Sequence, residues 1–485
     1  MTDPDADADA ADAAAGGDDL DAVLSTVHER VTPDAAERDR LDEAAADLAA
    51  RARAAVADLP APADEADVLT VGSTARGTWL AGDRDIDLFV RFPTALSRED
   101  LERYGLQVGH AVLPEGEEEY AEHPYVVGTT DGFDVDLVPC YGVDAATEIR
   151  SAVDRTPFHN EFLVERLDDD LAGDVRVLKA FLKGIGVYGS NLRTRGFSGY
   201  LTELLVLEHG GVRETLEAVA DWHPPVRFDP VDHGTATFDD PLVVIDPTDP
   251  ERNVAAVLSG DNLARLQHHA RDLLADPRTE PFFPDDPAPV DAEAVRAHVE
   301  RRGTAPVAVV FDAPDLVDDQ LYPQLRRSLS GIERELSGMG FDPLRSATFA
   351  TERDDGGDAD ADTDARRAVL LVELAARELP AIERHEGPPV HVREHAAGFY
   401  GKYATDPEAY GPFVADGRYV VERERPPAER DAVAVLSSDR LFDAALGARV
   451  ESALERGYDV LAGTEVGELA TTFGVDLREY FEPSV

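Results

Sequence analysis

The most informative pattern of hydrophobic and polar residues lies between positions 67 and 93, which read DVLTVGSTARGTWLAGDRDIDLFVRFP. The apolar run from Val68 to Val71 predicts a strand, and the small residues Gly72-Ser73-Thr74 predict a turn after it. A second apolar run, from Ile86 to Phe92, predicts another strand. We therefore expect a strand, a turn that runs into a short helical segment, and a second strand.

Similar patterns continue along the chain. Helical spacing of apolar residues predicts helices from Asp18 onwards, from Thr32-Pro33-Asp34 to about Leu59, over residues 97–113, and over Phe197 to His209 and Gln320 to Met339. In the second of these, we expect Thr32 to cap the helix and Pro33 to occupy its first position. Strand patterns cover Tyr120 to Thr129, Gly132 to Tyr141, Val307 to Phe311 and Ala368 to Leu374.

These elements suggest a division of the chain into several domains. The expected parts are a disordered acidic tail (1–17), a head (18–165), a helical central domain (166–275), a proline-rich linker (276–289) and a C-terminal body (290–485). Residues 354–364 are expected to form an acidic loop within the body.

Carboxylates occupy the starts of two of the predicted strands. Asp85 and Asp87 are two residues apart, so in a strand both side chains point to the same face. Two neighbouring carboxylates favour a cation between them, typically Mg²⁺. The pair alone means little in a chain with 99 acidic residues among 485, and its setting beside a Gly-Ser turn gives it weight. Asp134 and Asp136 repeat the pattern and offer a third carboxylate, or form an acidic edge strand.

The turn before the carboxylates suits a phosphate. Its backbone N–H groups and the Ser73 hydroxyl can donate to an anion, and Arg76 can add a charge-assisted contact. A phosphate cradle beside metal-binding carboxylates predicts phosphoryl or nucleotidyl transfer.

The amino-acid composition indicates the solvent in which the protein works and not the ligand that it binds. The net charge is −53, the acids are spread along the whole chain, and only three lysines occur: Lys179, Lys183 and Lys402. This pattern indicates a protein that works in molar salt, where the Debye length is only ~3 Å. Cys140 is the single cysteine and is expected to be a small buried residue at a strand end. The absence of a long apolar run predicts a cytoplasmic protein with no membrane partner.

The segment from Val175 to Thr202 has no acidic residue in 28 positions. Arg176, Lys179 and Lys183 share one helical stripe, and the helix is expected to end near glycines 184 and 186, just before Tyr188. The stripe suits a triphosphate, although a basic face that pairs with acids elsewhere is the alternative.

Two further candidates depend on helix starts. We expect Thr156 to cap a helix with Pro157 at its first position, which places His159 in the first turn, as a phosphate contact or a plain surface residue. Arg252, taken by itself, is an arginine that opens a helix.

At this point a resemblance can be stated. The stretch GSTARGTWLAGDRDID resembles the signature of polymerase-β-type nucleotidyltransferases and, in detail, that of archaeal (class I) CCA-adding enzymes. The resemblance implies an α+β multidomain fold: a polymerase-β-type head, a helical central domain and C-terminal α/β domains. It implies template-independent addition of CCA to the 3′ end of tRNA from CTP and ATP, with Mg²⁺ as cofactor and pyrophosphate as product.

The resemblance also implies roles for individual residues. Through the segment Val-Asp-Leu-Val-Pro-Cys-Tyr, the third catalytic and metal-binding carboxylate beside Asp85 and Asp87 is Asp136 rather than Asp134. The nucleotide-binding residues it implies are Ser73, Arg76, His159, Lys179 and Tyr188, and its residue for base selection is Arg252.

Several alternatives stay open. The carboxylates fit a poly(A) polymerase of the same superfamily equally well, and a non-catalytic RNA-binding protein could keep the fold. A metal-dependent phosphohydrolase is disfavoured because its His/Asp spacing is absent. In the C-terminal body, Arg393, His395, Phe399, Tyr400 and Lys402 either grip RNA or form a packed turn. A homodimer is also left open.

Overall fold

A computed structural model describes residues 19–120, 122–352 and 366–485. The predicted acidic tail (1–17) and acidic loop (354–364) lie outside these residues. The chain divides into two compact units, an N-terminal unit (Met1–Asp285) and a C-terminal unit (Asp286–Val485). The finer division into domains stays a prediction.

The head is built on a five-stranded sheet with the order β1-β2-β5-β4-β3, in which β2 and β5 run parallel and the other neighbours antiparallel. Its strands are β1 (Asp67–Val71), β2 (Asp85–Pro93), β3 (Glu117–Tyr120), β4 (Pro124–Thr130) and β5 (Phe133–Gly142). Its helices are α2 (Ala35–Ala57), α3 (Gly72–Arg76) and α4 (Arg98–Val112).

Alternation along β2 decides which face of this sheet is buried. Ile86, Leu88, Val90 and Phe92 lie in one hydrophobic core with α2 and α4. Since neighbouring side chains of a strand alternate, the residues between them point to the opposite face. That face carries the aspartates, and further along it Cys140 packs in a small cluster, buried as predicted.

The start of α2 differs from the prediction. Asp34 is the cap: its carboxylate accepts from the Glu37 backbone N–H at 2.7 Å, and the Glu37 carboxylate accepts from the Asp34 N–H at 3.0 Å. The expectation of Thr32 as the cap was wrong because the pair Asp34 and Glu37 satisfies two backbone donors reciprocally, which a lone threonine cannot do.

The central part of the N-terminal unit is mainly helical. Its elements are helix α1 (residues 19–31), α5 (Thr156–Val164), α6 (Asp169–Gly184), α7 (Gly199–His209), α8 (Val212–Ala220) and α9 (Gly260–Ala275), with short strands β6 (Val226–Phe228), β7 (Leu242–Asp246) and β8 (Asp249–Asn253). Apolar residues of α1, including Leu20 and Val27, lie in one core with Phe181 and Leu204. The first helix therefore packs on the central helices and not in the core of the head.

Two local expectations in this part were wrong. A 3₁₀ turn, Ala152–Arg155, precedes α5, so Arg155 takes the cap position and Thr156 is the first helical residue. The segment around Arg252 is a β-hairpin and not a helix start. Its first strand, β7, is buried throughout and contains the β-branched run Val243-Val244-Ile245 before Asp246, which favours a strand.

The C-terminal unit has an antiparallel sheet with the order β10-β11-β9-β15 and helices on both faces. The strands are β9 (Ala305–Asp312), β10 (Pro343–Ala350), β11 (Arg367–Leu374) and β15 (Asp459–Ala462). The helices are α10 (Ala292–Arg302), α11 (Asp318–Met339), α13 (Ala432–Leu436), α14 (Ala448–Leu454) and α15 (Ala470–Phe481). The predicted strand–helix–strand pattern is confirmed in β9, α11 and β11.

A second, three-stranded sheet carries the basic and aromatic segment. Its strands are β12 (Ile382–Pro389), β13 (Ala409–Ala415) and β14 (Arg418–Glu424), and helix α12 (Arg393–Tyr403) contacts them. Phe399 stacks on His385 with ring centroids 5.8 Å apart, whereas Tyr400 is 48% exposed. The segment is a helix and not a turn, but Phe399 is packed as the second alternative expected, and contact with RNA stays a prediction. Across the described parts of both units, every helix is too short or too polar to cross a lipid bilayer.

Candidate active site

Parallel pairing of β2 and β5 brings the aspartates together. The register places Asp85 opposite Asp134 and Asp87 opposite Asp136. Partners in a parallel register point to the same face, so all four carboxylates stand on the side of the sheet away from α2 and α4. Three catalytic candidates that are up to 51 positions apart in sequence thus form one group.

The electrostatics of this group show uncompensated negative charge. Burial, and after it the neighbouring carboxylates, raises the pKa of Asp85 and of Asp87. Burial followed by the charge of Asp87 raises the pKa of Asp136 to about 6. Asp134 is exposed and accepts a hydrogen bond from the Thr129 hydroxyl at 2.9 Å. Asp136, half-buried beside Asp87, is therefore better placed than Asp134 as the third carboxylate.

Glycine at the start of α3 makes room for Asp87. Gly72 has φ +74°, and a Cβ atom there would lie 1.9 Å from Asp87 Oδ2. Gly72 is also the first residue of the five-residue helix α3, which Gly77 caps at its C-terminal end. The Thr74 hydroxyl donates to the Asp85 backbone oxygen at 2.7 Å and fixes the helix against the start of β2. The two predicted strands are confirmed as β1 and β2. The turn expected at Gly72-Ser73-Thr74 was wrong: these residues already belong to helix α3, because Gly72, with φ +74°, lets the chain pass directly from β1 into the helix.

The oxygen donors of the carboxylates suit a divalent metal ion, although their side chains are not arranged as a complete ligand set. Within the ranges that the structure describes, no three His, Cys, Asp or Glu side chains already converge as a metal site. Oxygen donors are what a hard divalent cation prefers. A cation beside Asp87 and Asp136 would offset the burial and the mutual repulsion that raise their pKa values. Asp85, Asp87 and Asp136 are the residues that could hold it.

Two of the predicted phosphate contacts already have protein partners. Arg76 donates from Nε and Nη2 to the two carboxylate oxygens of Glu203, at 2.9 Å each, and from Nη1 to Asn160 Oδ1 at 2.9 Å. The Lys179 ammonium donates to the Thr78 backbone oxygen at 2.9 Å, and burial lowers its pKa to about 8. Both cations are thus anchored where α6 and α7 meet the segment from Arg76 to Arg84, which we call the signature loop.

His159 and Arg252 converge on one acid. His159 Nε2 lies 2.8 Å and Arg252 Nη1 2.7 Å from Oδ2 of Asp246, a fully buried carboxylate. The imidazole of His159 also stacks on Tyr200, with ring centroids 4.0 Å apart. The structure therefore brings together two residues that are 93 positions apart in sequence.

Tyr188 lies near the carboxylate group. The Lys183 ammonium sits 5.6 Å from the centre of the Tyr188 ring and 3.3 Å from Asp83 Oδ1. Burial, followed by the charges of nearby acids that include Asp85, raises the pKa of the Tyr188 phenol.

Sequence reasoning missed two acids of this site, Glu203 and Asp246. Glu203 is the residue that ends the acid-free segment, which was an available signal. Asp246 gave only a weak signal, as a carboxylate at the end of an apolar run before Pro247-Thr248.

The head sheet, its paired aspartates and the adjoining Gly-Ser segment define a polymerase-β-type nucleotidyltransferase. Nucleotidyltransferases of this kind generally use divalent metal ions. Three family descriptions match successive parts of the chain: "Nucleotidyltransferase domain" at residues 51–159, "tRNA nucleotidyltransferase, second domain" at 173–283, and "CCA-adding enzyme, C-terminal domain" at 302–463.

The chain belongs to the family of CCA-adding enzymes. It is 63% identical to the CCA-adding enzyme of Haloarcula marismortui over 468 residues, which cover 96% of this chain and 99% of that protein. The CCA-adding enzyme of Halorubrum lacusprofundi is also 63% identical, with the same coverage. That of Methanosarcina mazei is 38% identical over 94% of this chain and 97% of its own length. The resemblance inferred from the sequence is confirmed, and the protein is a nucleotidyltransferase.

Proposed function

We propose that this protein adds C, C and A in turn to the 3′ end of tRNA, without a template, from CTP and ATP. The observation that carries the proposal is the register of β2 and β5, which places Asp87 beside Asp136 next to Gly72. Similarity to CCA-adding enzymes over 96% of the chain supports the choice of substrate.

Asp85, Asp87 and Asp136 would hold Mg²⁺. When bound, the ion would neutralise charge on the triphosphate and lower the pKa of the attacking hydroxyl. Asp136, which lies opposite Asp87 in the register of β2 and β5, accepts the proton of the 3′-hydroxyl as that oxygen attacks the α-phosphate. A new P–O bond then forms, the bond to the β-phosphate breaks, and pyrophosphate leaves.

The remaining site residues grip the triphosphate. Arg76 uses three of its five N–H groups on Glu203 and Asn160, so two donors are left for phosphate oxygens. Lys179 contributes mainly charge, because it is buried behind Thr78. Ser73, His159 and Tyr188 complete the set, and Arg252 takes part in choosing the base.

The C-terminal unit would hold the tRNA, with the exposed ring of Tyr400 on α12 as one surface for it. We place the enzyme in a cytoplasm of high ionic strength, since its charge of −53 would otherwise repel RNA. The homodimer that the sequence left open is tested by the molar mass in solution, against 52.5 kDa for one chain.

The decisive experiment supplies tRNA lacking its last three nucleotides, in about molar KCl with Mg²⁺. Each labelled NTP is given singly, and then CTP with ATP, and products are resolved at single-nucleotide length. We expect the tRNA to grow by three nucleotides and to need CTP before ATP. This growth should be lost in Asp87→Asn and kept in the matched control Asp134→Asn. Long A tails would identify a poly(A) polymerase, and tRNA binding without incorporation would leave an RNA-binding protein.

A further inference from the structure

We propose that Asp246 is a positioning residue that holds His159 and Arg252 through one carboxylate oxygen and so couples triphosphate binding to the choice of base. This inference rests on the proposed function, in which His159 meets the triphosphate and Arg252 the base. Asp246 itself touches neither, since its side chain is fully buried.

The bonding of Asp246 divides its two oxygens between two tasks. Oδ2 accepts from His159 and Arg252, at 2.8 and 2.7 Å. Oδ1 accepts from the Thr248 backbone N–H at 2.9 Å and from its hydroxyl at 2.8 Å, and this closes the β7–β8 turn. One oxygen thus fixes the carboxylate in the hairpin, and the other holds two residues that come from different elements. A shift of either one changes the position available to the other.

The coupling also depends on the protonation states of Asp246 and His159. Although burial opposes it, the hydrogen bonds from His159 and Thr248 hold the pKa of Asp246 well below its usual range, so this carboxylate is ionised. Burial lowers the pKa of His159, with Asp246 opposing that shift and the nearby Arg252 and Arg155 adding to it. A neutral imidazole that donates from Nε2 to Asp246 has only a lone pair at Nδ1.

A lone pair cannot bind a phosphate oxygen, so contact with the triphosphate requires a proton on His159 Nδ1. The ionised Asp246 stabilises that imidazolium, and Tyr200, stacked on the ring, keeps its plane fixed. Nucleotide binding therefore takes up a proton at His159, while the same Oδ2 keeps Arg252 in place.

The test compares Asp246→Asn with the matched control Asp249→Asn. Asp249 lies on the same hairpin and accepts from Arg155 at 2.9 Å, without touching His159 or Arg252. Asp246→Asn should raise the KM for CTP and ATP about tenfold or more, because hydrogen bonds to charged groups are worth about that much. It should also raise wrong-nucleotide incorporation at the last position about tenfold, while Asp249→Asn changes both less than twofold.

Double variants separate positioning from general damage. In an Arg252→Ala background, Asp246→Asn should change nucleotide selectivity less than twofold further. The pH midpoint of CTP binding at equilibrium, followed between about pH 5 and 7, should fall in Asp246→Asn and should not respond to it in a His159→Gln background. Full additivity in either background, or equal effects of the two aspartate variants, would overturn the proposal.

Failure of the proposed function and failure of a variant to fold can each be distinguished from failure of this inference. If the unsubstituted enzyme binds CTP but extends no tRNA, the proposed function fails, while the binding midpoints still test Asp246 and His159. If Asp246→Asn does not fold, Thr248→Val replaces it, because it removes one donor from Oδ1 and changes no charge. Selectivity shifted two- to threefold in the same direction would support the inference, and unchanged selectivity would refute it.

Discussion

Replacing Gly72 by alanine should disable catalysis while leaving most of the fold stable. At this position φ is +74°, and the added Cβ would lie 1.9 Å from Oδ2 and 2.9 Å from Cγ of Asp87. No ordinary contact is that short, so either the Gly72 backbone or the carboxylate must move by about 1 Å. The carboxylate gives way more readily, because the backbone on both sides is held: β1 pairs with β2 over its whole length, up to Val71 opposite Asp87.

The Gly72→Ala substitution should have two separate costs, one in stability and one in catalytic rate. Alanine in the left-handed region costs about 1–2 kcal/mol of stability. A displacement of about 1 Å in a catalytic group can lower the rate on the order of 100-fold, or about 2.7 kcal/mol in the activation barrier. Because the strain acts on folding and the displacement acts on chemistry, the two parts are measured separately.

Gly77→Ala supplies the control. Gly77 has φ +66° and ends helix α3, but a Cβ there would have no atom within 4 Å. Both variants should lose similar stability in thermal unfolding, and Gly72→Ala alone should lose about 100-fold in single-turnover incorporation of CMP. A Gly72→Ala enzyme whose rate stays within threefold of Gly77→Ala would refute the reasoning.

The other predictions concern charge. Asp136→Asn should abolish incorporation, and Asp134→Asn should lower its rate less than threefold, because only Asp136 faces Asp87 across the register; quench-flow rates decide this. Glu203→Gln should lower the free energy of unfolding by about 3 kcal/mol or more in denaturant titrations, since it leaves Arg76 buried against a neutral partner; a loss below 1 kcal/mol would contradict this. Burial lowers the pKa of Lys179 to about 8, so kcat/KM for CTP should fall as pH rises above 8, because the ammonium loses its charge. Lys179→Arg should move that fall to higher pH, and an unchanged pH profile would show that Lys179 is not the group responsible.

Local sequence pattern was enough to predict the core of the catalytic sheet. The alternation from Asp85 to Phe92 specifies a strand with one apolar face, and the same pattern from Phe133 specifies its neighbour. The side-chain contacts that form turns and helix caps were harder to predict from the sequence. Asp34 replaced Thr32 as a helix cap because of a contact with Glu37, and Arg252 lies in a hairpin closed by Asp246.

Pairings across long stretches of chain could not be predicted from one sequence. Arg76 and Glu203 are 127 positions apart, and His159 and Asp246 are 87 apart. Nothing in either neighbourhood specifies its partner, since the chain offers 99 acids for 46 basic residues. Only packing of the central helices against the signature loop selects which acid is used.

That packing explains why the part of α6 from Val175 to Gly184 contains no acid. Arg176 donates to the Gly77 backbone oxygen, Lys179 to that of Thr78, and Lys183 pairs with Asp83, so the basic stripe of α6 follows the loop between α3 and β2. An acid on this stripe would compete for the cations and release the loop. In molar salt, exposed charges more than ~3 Å apart are largely screened, whereas a buried charge such as that of Lys179, which is 4% exposed, is screened much less. The stripe residues therefore bind the protein itself, Arg176 and Lys179 through backbone oxygens and Lys183 through an acid, and their contact with a triphosphate stays a prediction.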